Sequence, residues 1–221
     1  MTTSAREEIL ARIRTALADV PTTEPEPITR NYLDTHVPED PDTLTDLLSA
    51  NLTDYRAHVH RCTQPELPAV ISRLLNDHGT RTLATPTGLP DHWTADLDRS
   101  TVTVLRDDPP LTATRLDQTD TVLTGCTLAI AETGTLILDT SPDQGRRLLT
   151  LIPDHHICVV HTPHQIVASL PRAIPLLDPT QPLTWISGPS ATSDIELDRV
   201  EGVHGPRTLD VILVSSESPS P

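Results

Sequence analysis

Residues 55–85 read YRAHVHRCTQPELPAVISRLLNDHGTRTLAT, and this stretch decides the fold class. Residues 55–62 have the composition of a strand, whereas the apolar side chains of residues 67–75 recur at helical spacing. Gly79 stands just past that helix, where a helix-ending glycine is common. A second short strand is predicted over 80–85. A strand, a helix and a strand in this order favour a parallel sheet with helical crossovers.

The same alternation extends over residues 43–214. Around Thr133-Gly134, two apolar runs predict a β-hairpin, which interrupts the alternation of strands and helices. The sequence therefore predicts an open, mostly parallel α/β sheet with helices on both faces and a β-hairpin insertion. Further predicted helices lie over 44–52, from Ser141 to Pro153 and from Thr162-Pro163 to Leu170, and further strands over 101–105, 156–160, 183–186 and 209–214.

The first 42 residues have a different character. Ser4 and Glu7 form a capping-box pattern that opens a predicted amphipathic helix. Five prolines among acidic residues follow between residues 20 and 41, and this composition resists helix and strand. We predict three parts: an N-terminal helical arm with a Pro-rich acidic linker (1–42), one α/β domain (43–214) and a disordered tail (215–221).

Composition excludes several classes of function. The net charge is −15 and every basic residue is arginine, which opposes binding to nucleic acid. No apolar run approaches the length of a membrane span, and the N-terminus lacks the apolar core of a secretory peptide. We therefore expect a cytoplasmic protein. The three cysteines and the histidines follow no zinc or iron–sulfur spacing, so the sequence predicts no metal and no cofactor.

A polar loop follows the predicted strand 183–186. In open α/β sheets ligands collect beyond the carboxyl ends of the strands, and hydroxyl groups with a glycine suit a phosphate or carboxylate. The alternative is a turn whose hydroxyls only cap the following segment. The candidate ligand-binding residues of this loop are Ser187, Gly188, Ser190, Thr192 and Asp194.

Two further candidates come from residues 202–206 and 131–135. His204 lies between glycines and next to Gly205, which leaves its imidazole open to approach, although a structural histidine fits equally well. Glu132 ends an apolar strand just before the predicted turn, a position that suits a nucleophile or an acid–base group. The alternative is an exposed turn glutamate.

Four blocks of sequence together resemble the lactate utilisation protein C family, the LUD domain. They are AETGTL (131–136), HI (156–157), ISGPSATSDIE (186–196) and GVHGP (202–206). The resemblance covers residues 43–214. It implies a fold related to the NagB/RpiA/CoA-transferase group, and participation in the oxidation of L-lactate to pyruvate alongside iron–sulfur partner proteins.

Three hypotheses follow. In the first, the chain is a lactate-utilisation subunit that binds a small carboxylate or phosphate-bearing ligand. Assembly into a homo-oligomer is compatible with this role. Glu132 and His204 are then the candidate catalytic residues, and Thr133, Gly134 and the loop residues above with Gly205 bind the ligand. The second hypothesis is a free-standing CoA-transferase-like or isomerase-like enzyme that uses Glu132. The third is a structural adaptor without a catalytic site.

Overall fold

The structure is a computed structural model that describes residues 4–19, 31–192, 200–201 and 205–216. Its contacts divide the chain into two units, Met1–Tyr32 and Leu33–Pro221. The first unit contains helix α1 (Ala5–Ala16), and the predicted capping box is present, with Ser4 accepting from the backbone of Glu7 and Glu7 accepting from that of Ser4. No residue of α1 is buried.

The second unit contains the α/β fold. Its helices are α2 (Pro41–Asp54), α3 (Leu67–Asp77), α4 (Ala113–Asp117), α5 (Arg147–Leu151) and α6 (Leu170–Ala173). Its strands are β1 (His58–Thr63), β2 (Thr82–Thr85), β3 (Thr103–Arg106), β4 (Thr121–Thr124), β5 (Leu128–Ile130), β6 (Thr135–Leu138), β7 (His155–Thr162), β8 (Ile166–Val167), β9 (Thr184–Ile186), β10 (Ala191–Thr192), β11 (Val200–Glu201) and β12 (Thr208–Ser215).

The main sheet has six strands in the order β1-β12-β7-β4-β2-β3, and every neighbouring pair is parallel. The predicted α/β class with a mostly parallel sheet is therefore confirmed. A second sheet has the order β8-β5-β6-β9, and β10 pairs with β11 in a small antiparallel ribbon.

Two apolar layers sandwich the main sheet. On one face, α3 packs Ile71 and Leu75 against Ile157 and Ile212. On the other face, α2 and the second sheet pack against Cys158, Val160, Val211 and Leu213. Because strand side chains alternate between faces, the consecutive apolar residues of β7 and β12 serve both layers.

The predicted hairpin is confirmed as the antiparallel pair β5–β6. Its turn has four residues, 131–134, rather than the predicted two-residue centre. Gly134 has φ of +58°, and a Cβ added there would lie 2.9 Å from the carbonyl carbon of Asn51. The side chain of Asn51 donates to the carbonyl oxygens of Ala131 and Glu132 at 2.7 and 3.1 Å. Helix α2 thus fixes the hairpin turn.

The predicted helix that starts at Thr162-Pro163 is wrong. A turn occupies residues 163–165, and Ile166 and Val167 form β8, which pairs in parallel with β5. The Gln165 side chain accepts from His161 N at 2.7 Å and donates to the carbonyl of Cys126. The bond to Cys126 and the pairing of β8 with β5 join distant residues and replace the local helical bonds that the apolar spacing favoured. The helix in this region, α6, begins only at Leu170.

Leu48 of α2 is fully buried, whereas Ile9 of α1 is 59% exposed. We expect Leu48→Ala to lower the free energy of unfolding by about 2–5 kcal/mol, because the truncation leaves a cavity between α2 and the sheets. Ile9→Ala should change it by less than about 0.5 kcal/mol. Urea denaturation of both variants measures the difference. Equal effects would contradict this account of the core.

Candidate functional site

Two cavities open near the amino ends of β7 and β12, one on each side of the main sheet. The first, which we call the loop cavity, has a volume of about 480 Å³. The second, which we call the acidic cavity, has a volume of about 770 Å³. The loop cavity is lined by Arg147, Thr150, Leu151, His156, Leu183, Thr184, Trp185, Ile186, Ser187, Gly188, Pro189, Ser190, Gly205, Pro206 and Leu209.

The position of the loop cavity differs from the expectation. Strand β9, which precedes Ser187, pairs antiparallel with β6 in the second sheet and is not part of the parallel sheet. Its end therefore does not lie in a crevice beyond parallel strands. The cavity lies instead beside His156 and Leu209, the second residues of β7 and β12. The loop cavity thus lies at the amino ends of the parallel strands, and the predicted position beyond their carboxyl ends is wrong.

The charge of the loop cavity contrasts with that of the protein. The chain carries 31 acidic residues, yet none of the described residues that line this cavity is acidic. Arg147, at the start of α5, is exposed and supplies a guanidinium group to the wall. Backbone and hydroxyl groups of the 187–190 loop supply further hydrogen-bonding capacity. This combination favours an anion.

A chain of hydroxyl groups connects the hairpin turn to the loop. Thr133 Oγ1 lies 2.7 Å from Thr135 Oγ1, which lies 2.8 Å from Ser187 Oγ. Ser190 N donates to the carbonyl of Pro206 at 2.8 Å, which links the loop to the strand that follows Gly205. The fold thus brings the two stretches that the sequence singled out into the same neighbourhood.

Gly188 has a structural reason to be glycine. Its φ is +81°, and a Cβ added there would lie 2.6 Å from the carbonyl oxygen of Tyr55. The space that the glycine leaves is therefore occupied by the end of α2, rather than kept open for a ligand. Gly188 shapes the loop by this close approach.

His156 lines the loop cavity, although in the sequence it was only part of a predicted strand and of the HI block of the family resemblance. It is buried, and its Nε2 lies 2.8 Å from Thr124 Oγ1. Burial lowers the pKa of His156 to about 3, and the neighbouring His155 adds to the shift. The imidazole is therefore neutral near pH 7. The signal in the sequence that pointed to this residue was the pair His155-His156 at the start of a predicted strand.

Glu132 does not line the loop cavity. Its Oε1 accepts from His36 N at 2.6 Å and from Thr35 Oγ1 at 3.3 Å, and Oε2 lies 3.6 Å from His36 Nδ1. Ser169 Oγ also donates to the carbonyl of Asp34. The carboxylate thus holds residues 34–36 against the hairpin turn.

Two other candidates, Asp194 and His204, are outside the described residues, and Thr192 is described only as part of β10. Gly205 lies next to Ser190, since a Cβ added there would be 3.6 Å from Ser190 Cβ.

The acidic cavity has the opposite character. Asp117, Asp120 and Asp154 line it, together with His78, Thr80, Gln118, Thr119, Thr121, Ile152, His155, Arg207 and Thr208. Arg207 pairs with Asp154 and so is neutralised. Beside the cavity, Asp210 is buried and receives His60 Nε2 at 2.6 Å, His155 Nε2 at 2.7 Å and His78 Nε2 at 3.0 Å.

Burial alone would raise the pKa of Asp210, but hydrogen bonds from His155 and His60 hold that pKa well below its usual range. Burial lowers the pKa of His155, against the opposing effect of its hydrogen bond to Asp210. Asp210 is therefore a carboxylate at neutral pH. Within the part of the chain that the structure describes, its ion-pair partners are all histidines.

The glycine at position 188 provides a first test of the loop. Gly79 also has a positive φ, +62°, but a Cβ added there meets nothing within 4 Å. We expect Gly79→Ala to cost about 1–2 kcal/mol from backbone strain. Gly188→Ala should cost about 1–3 kcal/mol more, because the methyl group meets Tyr55. Thermal and urea denaturation measure both variants, and equal losses would show that the contact with Tyr55 is unimportant.

The buried histidine provides a second test. The pKa of His156 is lowered from 6.5 to about 3, so the unfolded chain takes up a proton first as the pH falls. Stability from this residue is complete above pH 6.5 and declines toward acid by up to about 1.4 kcal/mol per pH unit. We expect His156→Gln to flatten the loss of unfolding free energy between pH 6.5 and 4.5. The exposed His164→Gln control should keep the wild-type slope, and an unchanged slope in His156→Gln would contradict the assignment.

Comparisons with known proteins agree with the fold. A family model described as the LUD domain matches residues 45–214. The chain is 50% identical over 168 residues to "Lactate utilization protein C" of Deinococcus radiodurans, a match that covers 74% of this chain and 76% of that protein. It is 35% identical over 109 residues to the protein of the same name from Bacillus subtilis, which covers 46% and 45% of the two chains.

A solved structure is also similar. The crystal structure of a DUF162 family protein from Deinococcus radiodurans has a TM-score of 0.67 and 39% sequence identity, and the match covers 80% of this chain and 99% of that one. Among the described residues, no helix is both long and apolar enough to cross a membrane. The family match spans most of the chain and the structural match extends over the same α/β fold, so the chain belongs to the LUD domain family.

Proposed function

We propose that this protein is a subunit or accessory protein of L-lactate utilisation that binds a small carboxylate or phosphate-bearing ligand in the loop cavity. The names of its relatives support the pathway. The main support for a binding role is the composition of the loop cavity. None of its described lining residues is acidic, although the protein has a net charge of −15.

The chemistry of the cavity suits an anion. Arg147 supplies a positive charge, and a guanidinium can bind a carboxylate or phosphate through two parallel hydrogen bonds. Ser187 and Ser190 supply hydroxyl groups, and Gly188 keeps the loop backbone in place. His156 is neutral, so among the described lining residues Arg147 supplies the positive charge. A volume of about 480 Å³ lies within the range of ligand sites and leaves room for a ligand larger than lactate.

Electron transfer is assigned in this proposal to iron–sulfur partner proteins. Cys62, Cys126 and Cys158 are all buried and free, and they follow no cluster-binding spacing. The contribution of this chain is then to bind and orient an anionic ligand within a larger assembly. Glu132 has no part in the binding step that we propose, since its carboxylate holds Thr35 and His36.

A growth experiment tests the pathway. Deletion of the gene in its host should abolish growth on L-lactate as the carbon source and leave growth on glucose intact. The wild-type gene on a plasmid should restore growth. Undiminished growth of the deletion strain on L-lactate would overturn the proposed pathway.

A binding experiment tests the site. Calorimetry of the purified protein with L-lactate, pyruvate and inorganic phosphate should identify an anion that binds. We expect Arg147→Gln to weaken that binding by about 10- to 100-fold, the effect of losing hydrogen bonds to a charged group. Arg115→Gln removes another exposed guanidinium from α4, outside the cavity, and should bind as the wild type does. Equal affinities in the two variants would remove the loop cavity as the site.

A further inference from the structure

We propose that His58, His78 and Asp210 form a binding site for a divalent transition-metal ion of the zinc class, beside the acidic cavity. One donor atom from each residue lies within 4.8 Å of the other two. The three residues come from β1, from the end of α3 and from β12, which are far apart in sequence. Imidazole nitrogen and carboxylate oxygen are common ligands of Zn²⁺.

The two oxygens of Asp210 each lie near a nitrogen of one imidazole. Asp210 Oδ2 lies 3.0 Å from His78 Nε2, and Asp210 Oδ1 lies 3.7 Å from His58 Nδ1. Ligands about 2.1 Å from a tetrahedral ion are separated by about 3.4 Å. Both imidazoles have exposed side chains, 61% for His58 and 30% for His78, so small rotations can close the remaining gap. Three protein ligands leave a fourth position for water or a ligand.

The negative charge of buried Asp210 favours a bound cation. Asp210 is only 1% exposed and carries its charge at neutral pH, while its partners among the described residues are imidazoles rather than arginines. Buried charges in proteins are paired with opposite charges or coordinate metals. A divalent ion would neutralise Asp210, and the carboxylates of Asp117, Asp120 and Asp154 around the acidic cavity favour the arrival of cations.

Two other histidines hold Asp210 in position. His60 and His155 each direct Nε2 to one of its oxygens, at 2.6 and 2.7 Å. The donor and acceptor nitrogens of His155 can be assigned from its partners, because a carboxylate can only accept a hydrogen bond. Nε2 must donate to the carboxylate, so Nδ1 accepts from Thr121 Oγ1 at 3.0 Å, and Thr121 in turn accepts from Thr80 at 2.7 Å. Hydrogen-bonded groups behind a ligand are typical of metal sites, where they fix its orientation.

The ion class follows from the ligand set. Two imidazoles and one carboxylate favour Zn²⁺, Co²⁺ or Ni²⁺, whereas Mg²⁺ and Ca²⁺ prefer oxygen ligands. If the ion binds Nε2 of His78, that nitrogen offers its lone pair and the proton lies on Nδ1, so bonds from His78 and Asp210 to the metal replace the hydrogen bond between them. A bound ion would also link β1 and β12 to the end of α3.

The test uses full-length protein without a histidine tag, stripped with EDTA and dialysed. Calorimetry should show one Zn²⁺ bound per chain, and Co²⁺ should give the visible absorption of a tetrahedral complex. Zn²⁺ should also raise the melting temperature, because it binds the folded state. Mg²⁺ at the same concentration should do neither.

The double variant His58→Gln/His78→Gln removes two ligands that are both exposed, so folding should survive. We expect Zn²⁺ affinity to fall by about 100-fold or more. Loss of a group that only hydrogen-bonds to a metal ligand already lowers affinity by about 10- to 100-fold, and here two ligands themselves are removed. The matched control, His92→Gln/His164→Gln, removes two exposed histidines elsewhere and should bind as the wild type does. Asp210→Asn tests the carboxylate separately. The absence of saturable Zn²⁺ binding to the wild type, or equal binding by the two double variants, would overturn the proposal.

Discussion

The parallel pairing of β12 between β1 and β7 is the constraint on which the rest of the structure depends. β12 is the last described strand of the chain, yet it occupies an inner position and is buried along almost its whole length. Its insertion joins residues 58–63 to residues 208–215 and closes the core on both faces. Both cavities lie beside its first residues, so neither can form before this pairing is made. The long sequence separation makes the closing step entropically costly, and the apolar burial on the two faces offsets that cost.

The register of this pairing also assembles the histidine cluster. His58 lies opposite Asp210 in the β1–β12 pair, and Ile157 lies opposite Asp210 in the β12–β7 pair. Since strand side chains alternate between faces, His58, His60 and His155 all project toward the face that α3 covers, as Asp210 does. His78 reaches the same place because α3 ends there. A shift of one residue in register would send Asp210 to the opposite face and disperse the cluster.

Local elements were readable from the sequence because their causes are local. The capping box of α1, the apolar spacing of α2 and α3 and the hairpin β5–β6 all depend on residues close together in the chain. Strand β8 was missed because only its pairing with β5 makes it a strand. The order of the main sheet, with β12 inside it, likewise depends on long-range pairing that no spacing records.

The candidate site was predictable to a smaller extent. The 187–190 loop and Gly205 could be singled out from composition, and they do line a cavity together. Arg147 and His156 could not be assigned to that cavity, because an arginine at a helix start and a histidine in a strand have no distinctive spacing. Glu132 has contacts that its position in the sequence did not indicate. Its position at a turn suggested chemistry, whereas its carboxylate binds a segment almost a hundred residues earlier in the chain.

The two cavities divide consecutive residues between them. His155 and Thr208 line the acidic cavity, whereas His156 and Leu209, the next residue in each strand, line the loop cavity. Because successive side chains of a strand point to opposite faces, the two cavities lie on opposite faces of the same sheet. The lining of one suits a cation and that of the other suits an anion. Burial is the main cause of the lowered pKa of His156, and the adjacent His155 adds to it. In a protein of net charge −15, Asp117, Asp120 and Asp154 line the acidic cavity, whereas the described wall of the loop cavity has no acidic residue.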